Sequence, residues 1–288
     1  MKTSKGMILP LFENKAKNFI LKGVAMENAN FKMKTSTLKA PFAWIGGKSK
    51  MAKEIVERMP KHSCYCEVFA GSLSVLYAKE RPFAKYNEVV NDWNEDLINL
   101  HRIIQTRPQS LQLELNRMLS GRDFFLDSIH KEPRNKIEKA ALYFYSIVHS
   151  FGGKRDNYAM CKKARSIKNI YKSFQVYAER LKPVSIENLD FREFIKQYDS
   201  DVTLFYLDPP YVGTENYYKN KKTFDLKDHK DLCKILKNIK GKFLLSYNDC
   251  ELVRNLYKNF TIETLETKYR INMQTQNVKR KELLVRNY

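Results

Sequence analysis

A chain of 288 residues, 43% of them apolar, can bury a full core and carry one large domain or a domain with an insert. Its 52 lysines and arginines against 32 acids leave a net charge of +20, a surface suited to a polyanion and hard to explain for an enzyme of small molecules. No apolar run has membrane length, residues 7–12 are too short and proline-broken for a signal peptide, and Cys64, Cys66, Cys161, Cys233 and Cys250 include no CxxC pair. The expectation is a cytoplasmic protein with reduced thiols, no membrane contact and no metal.

Residues 1–39, with eight lysines against two glutamates and little periodicity, read as a flexible basic leader, with Met26 and Met33 as alternative starts. Met51, Ile55 and Met59 fall on one face of a helix over 50–59. A strand over 64–68, a helix over 72–80 and a strand over 86–90 follow, then a helix over 95–105. The stretch 101–182 is mainly helical, with helices over 111–118, 136–148 and 170–181. A strand over 202–207, a helix over 228–239 stopped by Gly241, and strands over 243–247, 260–266 and 283–287 close the chain. The pattern predicts an α/β sheet with a helical insert: residues 40–100 and 183–288 form the sheet domain and 101–182 the insert.

The strand over 202–207 runs into Asp208, Pro209, Pro210 and Tyr211. An exocyclic amine on a base is conjugated with its ring and a poor nucleophile until an acceptor holds its hydrogens. Asp208 is such an acceptor. The prolines stiffen the turn, the Pro209 carbonyl can face the same amine, and Tyr211 offers a flat face for a base outside its duplex. Upstream, Glu67, Phe69, Ala70, Gly71 and Ser72 lie in a strand-turn-helix of the kind that admits a nucleotide-type ligand, and Glu67 can hold a ligand amine or a loop amide. The next strand ends at Asp92, where doubly wound folds place the acid that takes ribose hydroxyls. There is no GxGxxG, so a ribose-bearing cofactor without a pyrophosphate, such as S-adenosyl-L-methionine, is expected.

Together these segments resemble the Dam-like family of S-adenosylmethionine-dependent DNA adenine-N6 methyltransferases of bacteria and phages. The resemblance runs from about residue 40 to 288 and rests on blocks in the family's order, not on one string. It implies a Rossmann-like methyltransferase sheet with a target-recognition insert, acting on double-stranded DNA. Trp44, Gly46 and Lys48 would surround the methionine end of the cofactor, with Lys48 on its carboxylate. Asp190 and Phe191 would border its adenine, and residues 223–229, 243–249 and 281–287 resemble the later blocks. A cognate restriction endonuclease is a candidate partner, and a monomer or weak dimer is expected. Cytosine-N4 methylation obeys the same amine chemistry and is an alternative, as is a DNA-binding regulator on the same fold. The family's block order favours adenine.

Half of the chain's excess charge lies in residues 101–185, which hold 17 basic against 7 acidic residues. Arg117, Arg122, Lys162, Lys163 and Lys168 are candidate DNA contacts, the last three through phosphates. Lys154, Arg155 and Asn157 follow two glycines in a predicted loop, and Arg155 and Asn157 have the side chains to read guanine and adenine edges. Members of the family that methylate GATC carry a different segment here, so that target is not expected.

Overall fold

The computed structural model describes residues 33–83, 85–119, 121–150, 153–159, 173–214, 223–269 and 278–288. Three short runs form its centre. Strand β1 (Cys64–Glu67) pairs in parallel with β2 (Asn87–Asn91) on one side and β4 (Thr203–Leu207) on the other. All five residues of β4 are buried, as a strand covered on both faces by helices requires. Beyond β2 lies β3 (Val184–Glu187), and beyond β4 lies β5 (Lys242–Asn248), both parallel. The last hairpin, β6 (Thr261–Tyr269) and β7 (Val278–Arg286), docks with β7 antiparallel to β5, giving the order β3-β2-β1-β4-β5-β7-β6.

This order reverses between β1 and β4, and in open α/β sheets the crevice at such a point, beyond the carboxyl ends of the strands, is where ligands bind. Glu67 ends β1 and Asp208 follows β4, so the two acids singled out in the sequence meet at that crevice. Because β7 runs backwards, its Glu282 stands opposite Asn248 at the end of β5. An acid from the chain's last segment thereby joins the same edge.

Helices α1 (Ala52–Glu57) and α2 (Ser74–Ala78) are shorter than expected, and α2 starts after the left-handed Leu73. Then come α3 (Glu95–Thr106), α4 (Pro108–Asn116), α5 (Arg122–His130), α6 (Lys136–Val148) and α7 (Gln175–Leu181). Asn94 caps α3 and Asn135 caps α6, which fixes their starts to the residue. The first part of the helix expected over 170–181 lies outside the described residues. Helices α8 (Phe191–Tyr198), α9 (Leu226–Leu236) and α10 (Glu251–Leu256) complete the layers. The pattern reading missed β3, α5, α8 and α10, although α8 carries a helical period that buries Phe191, Phe194 and Ile195 together.

One apolar cluster runs from Tyr65 and Leu204 in the sheet to Leu111, Phe125 and Ala140 in the helices of 101–182. Those helices therefore share the sheet's core and have none of their own. Residues 33–39, read as part of the leader, pair with the end of α2: Ser36 N donates to Ala78 O at 2.6 Å, and Met33 is buried. Residues 1–32 lie outside the described residues.

Candidate active site

A cavity of about 250 Å³ opens at the carboxyl edge of β1 and β4, walled by Trp44, Lys48, Glu67, Asp92, Asp208 and Tyr211 among others. The turn after β4 thus meets five other segments of the chain, at 44–48, 67–75, 92–94, 248 and 281–282. Lys48, 3% exposed, lies 2.7 Å and 2.8 Å from the two Asp208 oxygens and donates to the Gly46 carbonyl at 2.7 Å. The resemblance implied a cofactor carboxylate as the partner of Lys48; here its ammonium is turned onto Asp208. Burial pushes the Asp208 carboxyl up to about 6, with Lys48 opposing and Glu282 adding to the rise.

Tyr211 donates its hydroxyl to Glu282 Oε2 at 2.9 Å, and the Lys48 ammonium stands 4.8 Å from its ring centroid. The following turn is held as well, because Asn248 Nδ2 donates to the Val212 carbonyl at 3.2 Å. The pair that faces across β5 and β7, Asn248 and Glu282, therefore grips both sides of the aromatic residue. Pro209 and Pro210 line the cavity beside it.

The loop after β1 carries the second half of the site. Gly71 has φ +48, and a Cβ there would lie 2.9 Å from Trp44 Cδ1, so the indole packs where any other residue would carry a side chain. Asp92 accepts the Gly71 amide at 3.1 Å and the Asn94 amide at 3.0 Å. The expected ribose acid thus already braces the loop; burial pushes it up to about 6 against the pull of those amides. Glu67 accepts the Tyr65 hydroxyl at 2.9 Å, and burial pushes it up to about 8. Phe69, Ala70 and Ser72 line the same wall.

Asp190 and Phe191 lie elsewhere. They line a smaller adjoining cleft with Leu189, Thr223 and Phe224, and only Phe69 and Trp93 belong to both walls. Asp190 caps α8 by accepting the Arg192 amide at 3.0 Å.

The expected DNA contacts are scattered. Arg117 is exposed at the end of α4 and lies 3.4 Å from Glu114, and Arg122 is exposed at the start of α5. Lys154 and Asn157 are exposed in a loop closed by a bridge between Ser150 and Tyr158, the hairpin-like shape the two glycines suggested. Arg155 differs from the expectation. Its Nε donates to Ser146 at 2.7 Å and its guanidinium lies 4.1 Å from the Tyr143 ring centroid, so it is laid on α6. Arg180, counted with the basic excess, is turned inward to Glu88 at 2.7 Å. Lys162, Lys163 and Lys168 lie outside the described residues.

Several residues of the site escaped the reading of the chain. Behind the wall, fully buried His101 in α3 holds the Gly71 carbonyl at 2.8 Å, its burial depressing it to about 4, so the neutral ring donates through Nε2. Trp93, Asn94, Tyr206, Asn248 and Glu282 line the cavity. Only the position of Asn248 and Glu282 in segments resembling the later blocks pointed toward them.

Comparisons with known proteins place the chain in a family. The family model for the D12 class N6 adenine-specific DNA methyltransferases matches residues 44–271. A type II methyltransferase of Lactococcus lactis subsp. cremoris, M1.LlaDCHI, is 27% identical over 86% of this chain and 95% of its own. The retron Ec67 DNA adenine methylase of Escherichia coli is 27% identical over 80% of this chain and 84% of its own. The DNA adenine methylase of Escherichia coli (strain K12) is 23% identical, with 80% and 87% covered. The family settles adenine N6 over cytosine N4 as the methylated nitrogen. With its site residues joined at the switch point of a seven-stranded α/β sheet, the chain belongs to the D12 class of N6 adenine-specific DNA methyltransferases.

Proposed function

We propose that the chain binds S-adenosyl-L-methionine in the cavity and its adjoining cleft, and methylates an adenine rotated out of duplex DNA onto Asp208 and Tyr211. The observation that carries this reading is the Lys48–Asp208 pair, which places a carboxylate at the cavity floor beside an aromatic face. The cofactor fits the donor set. Asp92, Asp208 and Glu282 outnumber Lys48 and Lys281 in the wall of an otherwise basic protein, which suits a ligand carrying both an ammonium and a sulfonium. When bound, it supplies the electrophilic methyl group.

The residues then divide the work. Asp208 and the Pro209 carbonyl accept the amine's hydrogens, so the nitrogen lone pair is freed from the ring, and Asp208 takes the proton that nitrogen sheds on gaining the methyl carbon. Lys48 keeps Asp208 ionised and fixes its orientation. Pro210 holds the turn, and Tyr211, braced by Glu282, stacks the base. Trp44 and Gly46 with the loop at Phe69, Ala70, Gly71 and Ser72 shape the main cavity; Asp92 faces the ribose, Glu67 the ammonium, and Asp190 and Phe191 the cofactor's adenine.

Residues 101–182 form the DNA-facing part, through Arg117, Arg122, Lys154, Asn157 and the lysines 162, 163 and 168. Their charge supports phosphate binding, and neutralising one of them would make the salt dependence shallower by roughly one unit of log-log slope for each phosphate left without its cation. Such a substrate places the protein in the bacterial cytoplasm, and a partner restriction endonuclease rests on the type II relatives. No helix among the described residues is long and apolar enough to cross a membrane. Titration of the purified chain with S-adenosyl-L-methionine, and single-molecule sequencing of DNA from cells expressing it, test the reading together. Absence of cofactor binding, or modification of cytosine alone, would overturn it.

A further inference from the structure

The loop that follows α6 packs behind the cavity wall at two points, against Ala43 and Tyr143. Gly153 has φ +75, and a Cβ there would lie 3.0 Å from the Ala43 carbonyl, so the loop's backbone rests on the residue preceding Trp44. Two residues on, Arg155 has φ 61. A long side chain held in the left-handed region costs free energy, and such outliers persist where surrounding contacts over-determine them.

Those contacts lead inward. The guanidinium covers the Tyr143 ring at 4.1 Å while its Nε is fixed to Ser146 at 2.7 Å. Tyr143 is 4% exposed, and its hydroxyl accepts Asn94 Nδ2 at 3.0 Å. Asn94 caps α3 through Leu97 at 3.2 Å and donates its own amide to Asp92 at 3.0 Å. Asp92 in turn receives the Gly71 amide at 3.1 Å. A continuous set of contacts therefore runs from the loop expected to read DNA to the loop expected to hold the cofactor.

We propose that Arg155 is a positioning residue for the cofactor site: by pinning Tyr143 it keeps Asn94, and through it Asp92, in the cavity wall. This rests on the reading that Asp92 faces the cofactor. With its guanidinium stacked on an aromatic face and its Nε given to a serine, Arg155 is committed to α6, so its loss is expected to act on the cofactor and leave sequence preference alone. Removing one link is expected to weaken binding at the far end by on the order of tenfold, a size typical of coupling carried by packed side chains.

The test titrates S-adenosyl-L-methionine into the full chain carrying Arg155→Ala, Arg155→Lys, Tyr143→Phe, the Arg155→Ala/Tyr143→Phe pair, or Asp92→Ala. It also measures steady-state constants and sequences the DNA each variant modifies. Arg155→Ala is expected to raise the dissociation constant and the KM for cofactor about tenfold, with kcat at saturating cofactor and the methylated sequence as in the parent. Arg155→Lys, which keeps a cation on the ring, should recover most of the affinity. Tyr143→Phe, which removes only the hydroxyl, should weaken binding similarly, and the double variant no further, because both act on one chain of contacts.

A cofactor affinity unchanged in Arg155→Ala and Tyr143→Phe, or additive losses in the pair, overturns the proposal. So does a methylated sequence relaxed at one base in Arg155→Ala, which assigns the side chain to base readout. Should Arg155→Ala lack a cooperative melting transition, Arg155→Lys and Tyr143→Phe decide the matter alone. If Asp92→Ala binds cofactor as the parent does, the reading of the site fails; if Asp92→Ala weakens binding and Arg155→Ala does not, only the positioning role fails.

Discussion

Two buried lysine–carboxylate pairs stand at opposite ends of the same sheet, and what sets them apart is the charge around each. Lys79 and Glu88 are fully buried near the amino end of β2, where Arg180 adds a second cation at 2.7 Å and 2.8 Å from the glutamate oxygens. Tyr65 and Tyr86 place their rings 4.4 Å and 4.6 Å from the Lys79 ammonium. The two cations hold the Glu88 carboxyl below its usual range even though burial, the largest influence on it, works the other way. Lys48 and Asp208 face a cavity, with one cation shared among Asp208, Glu282 at 4.0 Å and the Tyr211 ring. There burial wins, and Asp208 rises to about 6. A carboxylate with surplus cations is a structural anchor; one with a deficit, beside open space, keeps capacity to accept hydrogens from something else.

That contrast breaks most visibly at Asp208. Asp208→Ala should lower methyl transfer by at least about 10³-fold, since an acceptor acting on the amine contributes mainly in the transition state, while affinity for duplex DNA stays near that of the parent. Tritiated-methyl incorporation alongside a DNA-binding isotherm reads both, and turnover close to the parent's would remove Asp208 from the chemistry.

The opposite end should respond in stability and not in rate. Glu88→Gln leaves Lys79 and Arg180 buried without a counter-charge, and breaking such a pair costs about 3–5 kcal/mol. Urea unfolding should show this loss, with turnover per folded molecule nearly unchanged. A variant of normal stability and poor activity would erase the distinction between the pairs.

A smaller effect sharpens it. Asp208 accepts only when ionised, so with its carboxyl at about 6 the rate should fall as pH drops below that value. Lys48 is the group that lowers Asp208, so Lys48→Met should move the acid limb to higher pH, and pH–rate profiles of the two proteins should be displaced accordingly. Coincident limbs would show that Lys48 does not govern the carboxyl.

Glu67 should act in a single pH window. Its carboxyl is raised from 4.5 to about 8, so between these values the unfolded chain has lost a proton that the fold retains. Stability contributed by the protonated form is complete below 4.5 and declines as pH rises toward 8. Glu67→Gln should remove that decline, so the variant gains on the parent across this window and on neither side of it. Thermal melts at a series of pH values check the difference.

Much of the site could be read from the chain because its pieces are local. Asp208 to Tyr211 follow a buried apolar run, Gly71 sits in a small-residue turn after another, and Asp92 ends the next strand. These signals lie within one strand and one turn, and all of them line the cavity. The three central strands and the long capped helices were legible for the same reason. The short elements β3 and α10 were not, since four to six residues carry too few repeats to separate period from chance.

What the amino-acid sequence determined by itself, then, was the set of side chains available: an acid, two prolines and a tyrosine after one buried run, a small-residue turn after another, and an excess of basic residues. What only the tertiary structure decided was which charge meets which. Lys48 reaches Asp208 across 160 positions, Arg180 reaches Glu88 across 92, and Tyr211 reaches Glu282 across 71. A lysine or arginine carries no mark of its partner in the chain; its role as anchor, tuner or DNA contact follows from the burial and neighbours that packing imposes, and packing brings together what sequence distance keeps apart.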